Sequence, residues 1–420
     1  MSDEATGRIA PIDGLRGLAV MGILLMNVAG FAMPSGGYFN PWAWSVPSRA
    51  DLAVWAANFV LIDGKMRALF SILFGASMLI VMRGAEAAGT SALRRHLARM
   101  AVLAGFGAVH LVLIWPGDIL LQYAIIGLFA YPFTALEPRQ QIKIAAMLLL
   151  LQLLFGAIFL AGFVETHALA TAPGASRIAV EGWRAFSEGV GIGRPQDVLA
   201  DIAQHRGGWW PLVQQNWQSE ARSPLFVLMF DGPETLAFML IGMAALGSGF
   251  LAGTWPRARY VRVAAIGYAI ALPPSIALCW LCFHVRFDTI TTFTAATFGG
   301  IVLRPIMALA DAALGILWLT SGTGPLRARV IAAGRCAFTN YLGSSIVMTA
   351  IFYGWGLGLF ARLGRAELLP VVLGAWALML AWSAPWLASY RYGPLEWLWR
   401  SLARGKLQPM RRNAIATVLH

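Results

Sequence analysis

Apolar runs about the length of a bilayer crossing alternate with short polar connections along this chain. A helical span takes about 20 mostly apolar residues, because each residue rises about 1.5 Å through a hydrocarbon core about 30 Å thick. Runs near 12–33, 66–82 (with a lead-in from 52), 100–115, 119–135, 144–164, 225–250, 263–283, 297–320, 336–352 and 367–386 meet that length loosely. The pattern predicts an all-α fold, a polytopic transmembrane helix bundle of about ten spans. The first run holds Asp13, Arg16 and Asn27 and is followed by no A-x-A-like site, so it is expected to stay in the protein rather than leave as a signal peptide.

The connections orient the bundle. One alternate set, from Arg8 and Arg16 through Arg83, Arg94, Arg95, Arg99, Arg139, Lys143, Arg257, Arg259, Arg262, Arg327, Arg329 and Arg335 to the tail, holds 20 Lys and Arg; the other holds 9. The positive-inside rule puts the richer set, and with an even number of spans both termini, in the cytoplasm. The longest connection divides the chain into a five-span half (1–164), an outer segment (165–223), a second five-span half (224–386) and a basic tail (387–420). Trp183, Phe186, Val198, Ile202, Trp209, Trp210 and Trp217 predict short amphipathic helices in the outer segment, either an interfacial cap or a lid over an outward cavity. The tail, YRYGPLEWLWRSLARGK, mixes aromatic and basic residues as an amphipathic helix at the inner interface would. Five spans on each side of the outer segment is the arrangement of inverted-repeat transporters, but no motif recurs between the halves.

Composition narrows the class. A hydrophobic content of 58%, 12% charged residues and a mean hydropathy of +0.66 make the lipid bilayer the solvent and exclude an ordinary soluble enzyme. The net charge of +12 is dispersed over short connections with no compact basic face, so no nucleic-acid partner is expected. Cys279, Cys282 and Cys336 sit in apolar runs without partners at metal-ligand spacing, and no H-x-x-x-H pair occurs; no metal is expected. P-loop, G-x-G-x-x-G and G-x-S-x-G signatures are absent, which leaves no motif for ATP-driven pumping or serine acyl-enzyme chemistry.

Ionisable groups in hydrocarbon are costly, so each raises a functional question. Lys65 and Arg67 open the second span, His110 lies just before the Pro116-Gly117-Asp118 turn, and Asp231 and Glu234 share a face of the sixth span at i, i+3. Arg304 and Asp311 share a face of the eighth at i, i+7. Three cations against four acids permit two arrangements: pairs that fasten helices together, or a polar cavity in which His110 acts as acid or base with Asp118 orienting it. At the inner side, Asp13 can cap the first helix while Arg16 and Arg335 meet lipid phosphate or a bound anion. Asn27, Asn340 and Tyr341 either bond between helices or line the cavity. His96, in a basic connection, is expected to be solvated.

Seven blocks in order give the chain a resemblance to the YeiB-like bacterial membrane proteins, which carry domain of unknown function 418. They are IDGLRGLAVMGILLMN, GKMRALFSILFGAS, HLVLIWPGDILLQYA, ETLAFMLIGMA, GRCAFTNYLGSSI, FYGWGLGL and GPLEWLWRSL. The opening block also resembles the first helix of the membrane acyltransferase group, whose members move an acyl group from cytoplasmic acyl-CoA to an acceptor. That likeness implies an acyl-CoA co-substrate, no covalently held cofactor, a cell-envelope or small-molecule acceptor, and residence in the bacterial cytoplasmic membrane. Arg16 matches the arginine of the group's L-R-G step, but Asn27 stands where the O-acetylating branch has its catalytic histidine. Asn cannot relay a proton, so the chemistry would fall to His110 with Asp118, with Lys65 and Arg67 at the oxyanion and Arg16 and Arg335 on the donor. A small-solute transporter or channel using the same residues as a polar pathway is the alternative.

The topology is open to direct measurement. A fluorescent protein fused to the C-terminus should fold and emit, whereas alkaline phosphatase should be active only when inserted in the 165–223 segment; an active C-terminal phosphatase fusion would overturn the ends-inside arrangement.

Overall fold

The computed structural model describes residues 9–189, 195–218 and 228–412. Among them the chain is all-α, with one isolated bridge between Tyr390 and Arg411. The helices are α1 (Ala10–Ala32), α2 (Ser35–Phe39), α3 (Arg49–Leu61), α4 (Lys65–Ala87), α5 (Ala92–Val109), α6 (Leu120–Ala130), α7 (Pro138–Thr171), α8 (Arg177–Gly189), α9 (Pro195–His205) and α10 (Trp209–Gln218). After the second undescribed stretch come α11 (Gly232–Gly247), α12 (Arg257–His284), α13 (Thr289–Thr294), α14 (Leu303–Thr320), α15 (Pro325–Arg335), α16 (Ala337–Phe352), α17 (Leu368–Ser389) and α18 (Pro394–Arg404). π-helical segments continue α5 over His110–Ile114 and α13 over Ala295–Gly299.

Seven helical stretches are long and apolar enough to cross a bilayer, and three shorter apolar ones, Leu120–Ala135, Gly232–Gly247 and Ala337–Phe352, fall in the remaining predicted runs. The protein is an all-α polytopic membrane helix bundle. Boundaries differ from the sequence reading where helices outrun the membrane. α7 continues past 164 to Thr171, because nothing in GFVETHALAT breaks a helix, and the lead-in from 52 is a separate helix, α3, halted by the turn at Asp63-Gly64. Gly64 takes a φ of +71°, a conformation that side chains resist, and Arg304 packs where its Cβ would stand.

Burial follows position in the bundle. α1 and α11 are buried nearly all round, while α7 and α12 turn Leu150, Leu154, Ile158, Ile266, Ile270 and Trp280 outward, the apolar wall expected against lipid. Lipid tails compete with any apolar helix face, so close backbone approach has to supply much of the packing energy. It does so at α4 and α11: a Cβ on Gly242 would lie 1.8 Å from the Ile72 carbonyl oxygen, and one on Gly75 would lie 2.1 Å from that of Met239.

Contacts between connections separate the two ends. At the basic end the Trp399 indole donates to the Arg99 carbonyl at 3.0 Å. Glu396 accepts from the backbone N–H groups of Phe338 and Thr339 at 2.7 and 3.1 Å and so caps α16. Burial pushes the Glu396 carboxyl above the ordinary carboxylate range, against the pull of those bonds. At the opposite end α8, α9 and α10 occupy the predicted outer segment; the Phe186 side chain, Arg194 and Glu220 lie outside what is described. Trp183 packs on Phe163, Arg206 donates to the Phe360 and Ala361 carbonyls at 2.8 and 3.0 Å, and Trp209 donates to Leu113 at 2.8 Å. The segment is a cap fastened to the bundle.

Because only backbone faces the added Cβ at Gly242, Gly242→Leu should destabilise by more than the ~1–3 kcal/mol usual for overpacking. Gly374→Ala, which meets nothing within 4 Å, should leave thermal unfolding in detergent unchanged or raised.

Candidate functional site

Two polar clusters occupy the interior. The first is ionic. Glu234 lies in the first turn of α11, a place where the helix dipole favours an acid, and is 3% exposed. One carboxylate oxygen accepts from Arg304 at 2.8 Å, and the other accepts from Arg67. Arg67 also reaches Asp231 at 3.7 Å and the Thr235 hydroxyl at 3.4 Å, which in turn accepts from Gln122 at 3.2 Å. Arg304 gives its remaining donors to the Ala296 and Thr297 carbonyls at 2.5 and 2.9 Å, oxygens presented by the π-helical turn. Four predicted residues, Arg67, Asp231, Glu234 and Arg304, therefore form one unit, tying α4, α11 and α14 together with two charges of each sign.

The second cluster is a dyad. His110 is wholly buried and begins the π-helical turn; its Nδ1 lies 2.8 Å from Asp118 Oδ1. A carboxylate accepts, so Nδ1 carries the proton, and in the neutral imidazole Nε2 presents a lone pair. Asp118 Oδ2 accepts from the Leu121 N–H at 2.7 Å, which anchors the carboxylate to the start of α6. Nε2 has no hydrogen-bond partner among the described residues. Around it stand Trp115, stacked at 3.9 Å on Phe31 of α1, and Tyr341, whose ring centroid is 5.4 Å from the imidazole. π-helical turns leave backbone groups unpaired, and α10 answers two of them: Asn216 donates to Val112 at 3.3 Å and Trp209 to Leu113. The cap thus closes over the dyad.

Tyr341 changes the expected depth. The sequence suggests an inner position for Asn340 and Tyr341 and an outer one for His110, yet the rings touch. Tyr341 lies four residues past Ala337, the start of α16 that Glu396 caps, about 6 Å at helical rise, so the basic end and the dyad approach each other along α16. Asn340 is fully engaged: it donates to the Ala333 carbonyl at 3.0 Å and Ser383 at 3.3 Å, and accepts from Trp382 at 2.9 Å, fastening α15, α16 and α17.

Other predicted residues are placed elsewhere. Lys65, buried, donates to the Phe59 carbonyl at 2.5 Å and feels Asp63 and Asp311, and no contact joins Lys65 or Arg67 to His110 among the described residues. Asp311 shares a helix with Arg304 but accepts from Tyr268 of α12 instead. Arg16 pairs with Asp13 at 2.7 Å and donates to Ser77; Arg335 closes α15 at the same end of the bundle. Asn27 is half-buried one turn below Phe31. His96 corrects the sequence reading: it is 3% exposed, lies 3.0 Å from the Gly127 carbonyl and stacks on Tyr131, because the start of α5 packs on the end of α6.

Several members escaped the sequence reading. Ser71 and Tyr123 bond each other at 2.7 Å between the clusters, and Gln122 and Thr235 complete the ionic one. Their signal was uncharged polarity within apolar runs, a weaker mark than an ion. On the outer side Tyr38 donates to Asp63 at 2.6 Å and Arg365 to the Gly37 and Tyr38 carbonyls, beside a void of about 10 Å³, room for a single water. Desolvation there lowers the Arg365 guanidinium to about 10 and raises the Tyr38 phenol well above its usual value. A groove of about 550 Å³ between Leu153, Pro274, Trp280, Leu281 and Leu303 is apolar and contains none of the predicted residues.

Fold and site together define a multi-span membrane protein with a buried ion cluster and a buried His–Asp pair. The chain belongs to the YeiB-like family: it is 30% identical over 406 residues to the uncharacterized protein YeiB of Escherichia coli (strain K12), covering 94% of this chain and 96% of that one. It is 28% identical over 417 residues to the uncharacterized protein YxaH of Bacillus subtilis (strain 168), covering 97% and 96%. Residues 245–406 match the family described as protein of unknown function DUF418. No solved structure matches.

Removing the shared carboxylate should expose the ionic cluster's importance. Glu234→Ala leaves two buried guanidinium groups competing for Asp231 and should lower stability by ~3–5 kcal/mol. Asp231→Asn, which breaks only the longer contact, should cost much less in thermal unfolding of the detergent-solubilised protein.

Proposed function

We propose that this chain is an acyltransferase of the bacterial cytoplasmic membrane, moving an acyl group, acetyl being the simplest, from cytoplasmic acyl-CoA to a cell-envelope or small-molecule acceptor. The observation that carries the reading is the buried His110–Asp118 dyad, with Nε2 unpartnered among the described residues. In this mechanism Nε2 takes the proton of an acceptor hydroxyl or amine as that atom attacks the thioester carbonyl. Asp118 holds the Nδ1 proton and stabilises the imidazolium. Collapse of the tetrahedral intermediate expels the CoA thiolate, which receives the proton from Nε2. Lys65 and Arg67 are engaged with Phe59 and with Glu234 and Asp231, so the oxyanion donor falls to Tyr341, whose ring packs against the imidazole. Arg16 and Arg335, at the basic end, take the anionic donor.

A small-solute transporter or channel is the second reading. It is favoured by Asp311, whose Oδ2 is buried without a hydrogen-bond partner among the described residues and in the electrostatic reach of Lys65, an arrangement suited to proton or cation movement.

Radiolabelled acetyl-CoA, an envelope extract and the purified full chain in lipid discs separate the two. Wild type should give a labelled product, reduced ~10²–10⁴-fold in His110→Ala and markedly in Asp118→Asn, with the fold retained by thermal unfolding. Folded wild type without any labelled product sinks the transfer reading, and solute uptake into proteoliposomes that needs Asp311 would replace it.

A further inference from the structure

Beside Arg16 and Arg335, the basic end holds a concentration of charge to which the transfer reading gives no part. α5 carries Arg94, Arg95 and Arg99 and has no acid along Ala92–Val109, while α18 sets Arg400 and Arg404 against the single acid Glu396. The two helices are locked together at Arg99: its carbonyl accepts from the Trp399 indole, and its guanidinium lies over the Trp399 ring, 4.3 Å from the centroid. Arg16, Arg95, Arg400 and Arg404 all lie near enough to repel Arg99. Four further guanidinium groups, from α1, α5 and α18, therefore lie within electrostatic reach of the one that Trp399 holds.

The acids on these elements are occupied. Asp13 faces Arg16 at 2.7 Å, and Glu396 is turned onto the N-terminus of α16, where the Thr339 hydroxyl donates to it at 2.6 Å. The Arg99 guanidinium makes no hydrogen bond among the described residues and is held in place by stacking on Trp399. Solvated arginines that repel one another ordinarily swing apart, since exposed side chains lose entropy when fixed. Here Trp399 prevents it for Arg99, and the capping bonds of Glu396 hold α18 against the bundle. Mutual repulsion in a packed setting is relieved by a multivalent anion, and guanidinium forks match phosphate oxygens in bidentate pairs.

We infer that α1, α5 and α18 form a binding site for a ligand bearing two or more phosphate charges, with Arg99 at its centre and Arg16, Arg95, Arg400 and Arg404 around it. The same chemistry is offered by the diphosphate of a soluble nucleotide-type molecule and by the headgroups of anionic lipids. The site goes beyond the transfer reading, because it requires only phosphate and not turnover; Glu396 is a positioning residue for it through α18.

The test uses the full chain in discs of zwitterionic lipid, titrated with inorganic pyrophosphate and followed by thermal unfolding and by calorimetry. Wild type and His110→Ala should bind saturably and alike. Arg99→Gln and Arg404→Gln should each weaken binding at least tenfold, whereas Arg139→Gln, on α7, should not. Arg99→Lys should recover only part of the affinity, since it restores charge without the fork. A soluble source is indicated when coenzyme A displaces pyrophosphate at lower concentration, and a lipid source when discs containing anionic lipid abolish the pyrophosphate response. Absence of saturable binding by folded wild type, or unchanged affinity in both glutamine variants, overturns the site. Arg404 is exposed, so its variant keeps the test decisive if Arg99→Gln fails to fold.

Discussion

Glu234 holds two guanidinium groups at once, and the middle of the bundle is arranged around that constraint. A carboxylate in a low-dielectric interior persists only when it is paired and its lone pairs are occupied. Arg67 comes from α4, Arg304 from α14, and Glu234 from the first turn of α11, where the helix dipole adds to the attraction. Three helices are thereby fixed in rotation and height. The close backbone contacts of Gly75 with Met239 and of Gly242 with Ile72 depend on that register, because a shift of one residue would present side chains where only glycine fits.

The same demand for satisfaction shapes both irregular turns. A π-helical turn puts carbonyls out of step with the helical ladder, a liability in a membrane interior unless something donates to them. Arg304 answers Ala296 and Thr297, and α10 answers Val112 and Leu113. Each irregularity thus lies beside a charged or titratable group, Arg304 in one case and His110 in the other. Regular helix would have left Arg304 fewer acceptors and would have turned His110 to another bearing.

Much of the architecture was legible because hydrophobic run length has few competing causes in a chain of this composition. The ten apolar runs correspond to ten helices, and Asp118 beside His110 follows from a tight Pro-Gly turn that leaves the aspartate little choice. Side-chain partners across helices were less legible. Periodicity put Arg304 and Asp311 on one face of α14, but that face meets two neighbours, α11 for the arginine and α12 for the aspartate. Tyr341 and His110 were assigned to opposite leaflets because depth had been counted from the charged ends of helices. Helices such as α5 and α16 start at different levels, so equal counts from an end do not mean equal depth. His96 misled for a related reason: basic neighbours in sequence describe the connection, not the face that packs on α6.

The tail joins these observations. α18 is an amphipathic segment of the sort that usually lies on a membrane surface, yet its Glu396 caps α16, its Trp399 grips α5, and Phe338 of α16 packs between Trp399 and Phe106 of α5. Three residues further along, just under one turn, the same α16 presents Tyr341 to His110. Displacing α18 would uncap the helix that carries Tyr341 and release the helix that carries His110. The arginine cluster at the basic end and the dyad are therefore mechanically continuous through α5 and α16. An anion that tightens the grip of α18 would also tighten the packing around Nε2, a coupling set by contacts rather than by any group passing between the two places.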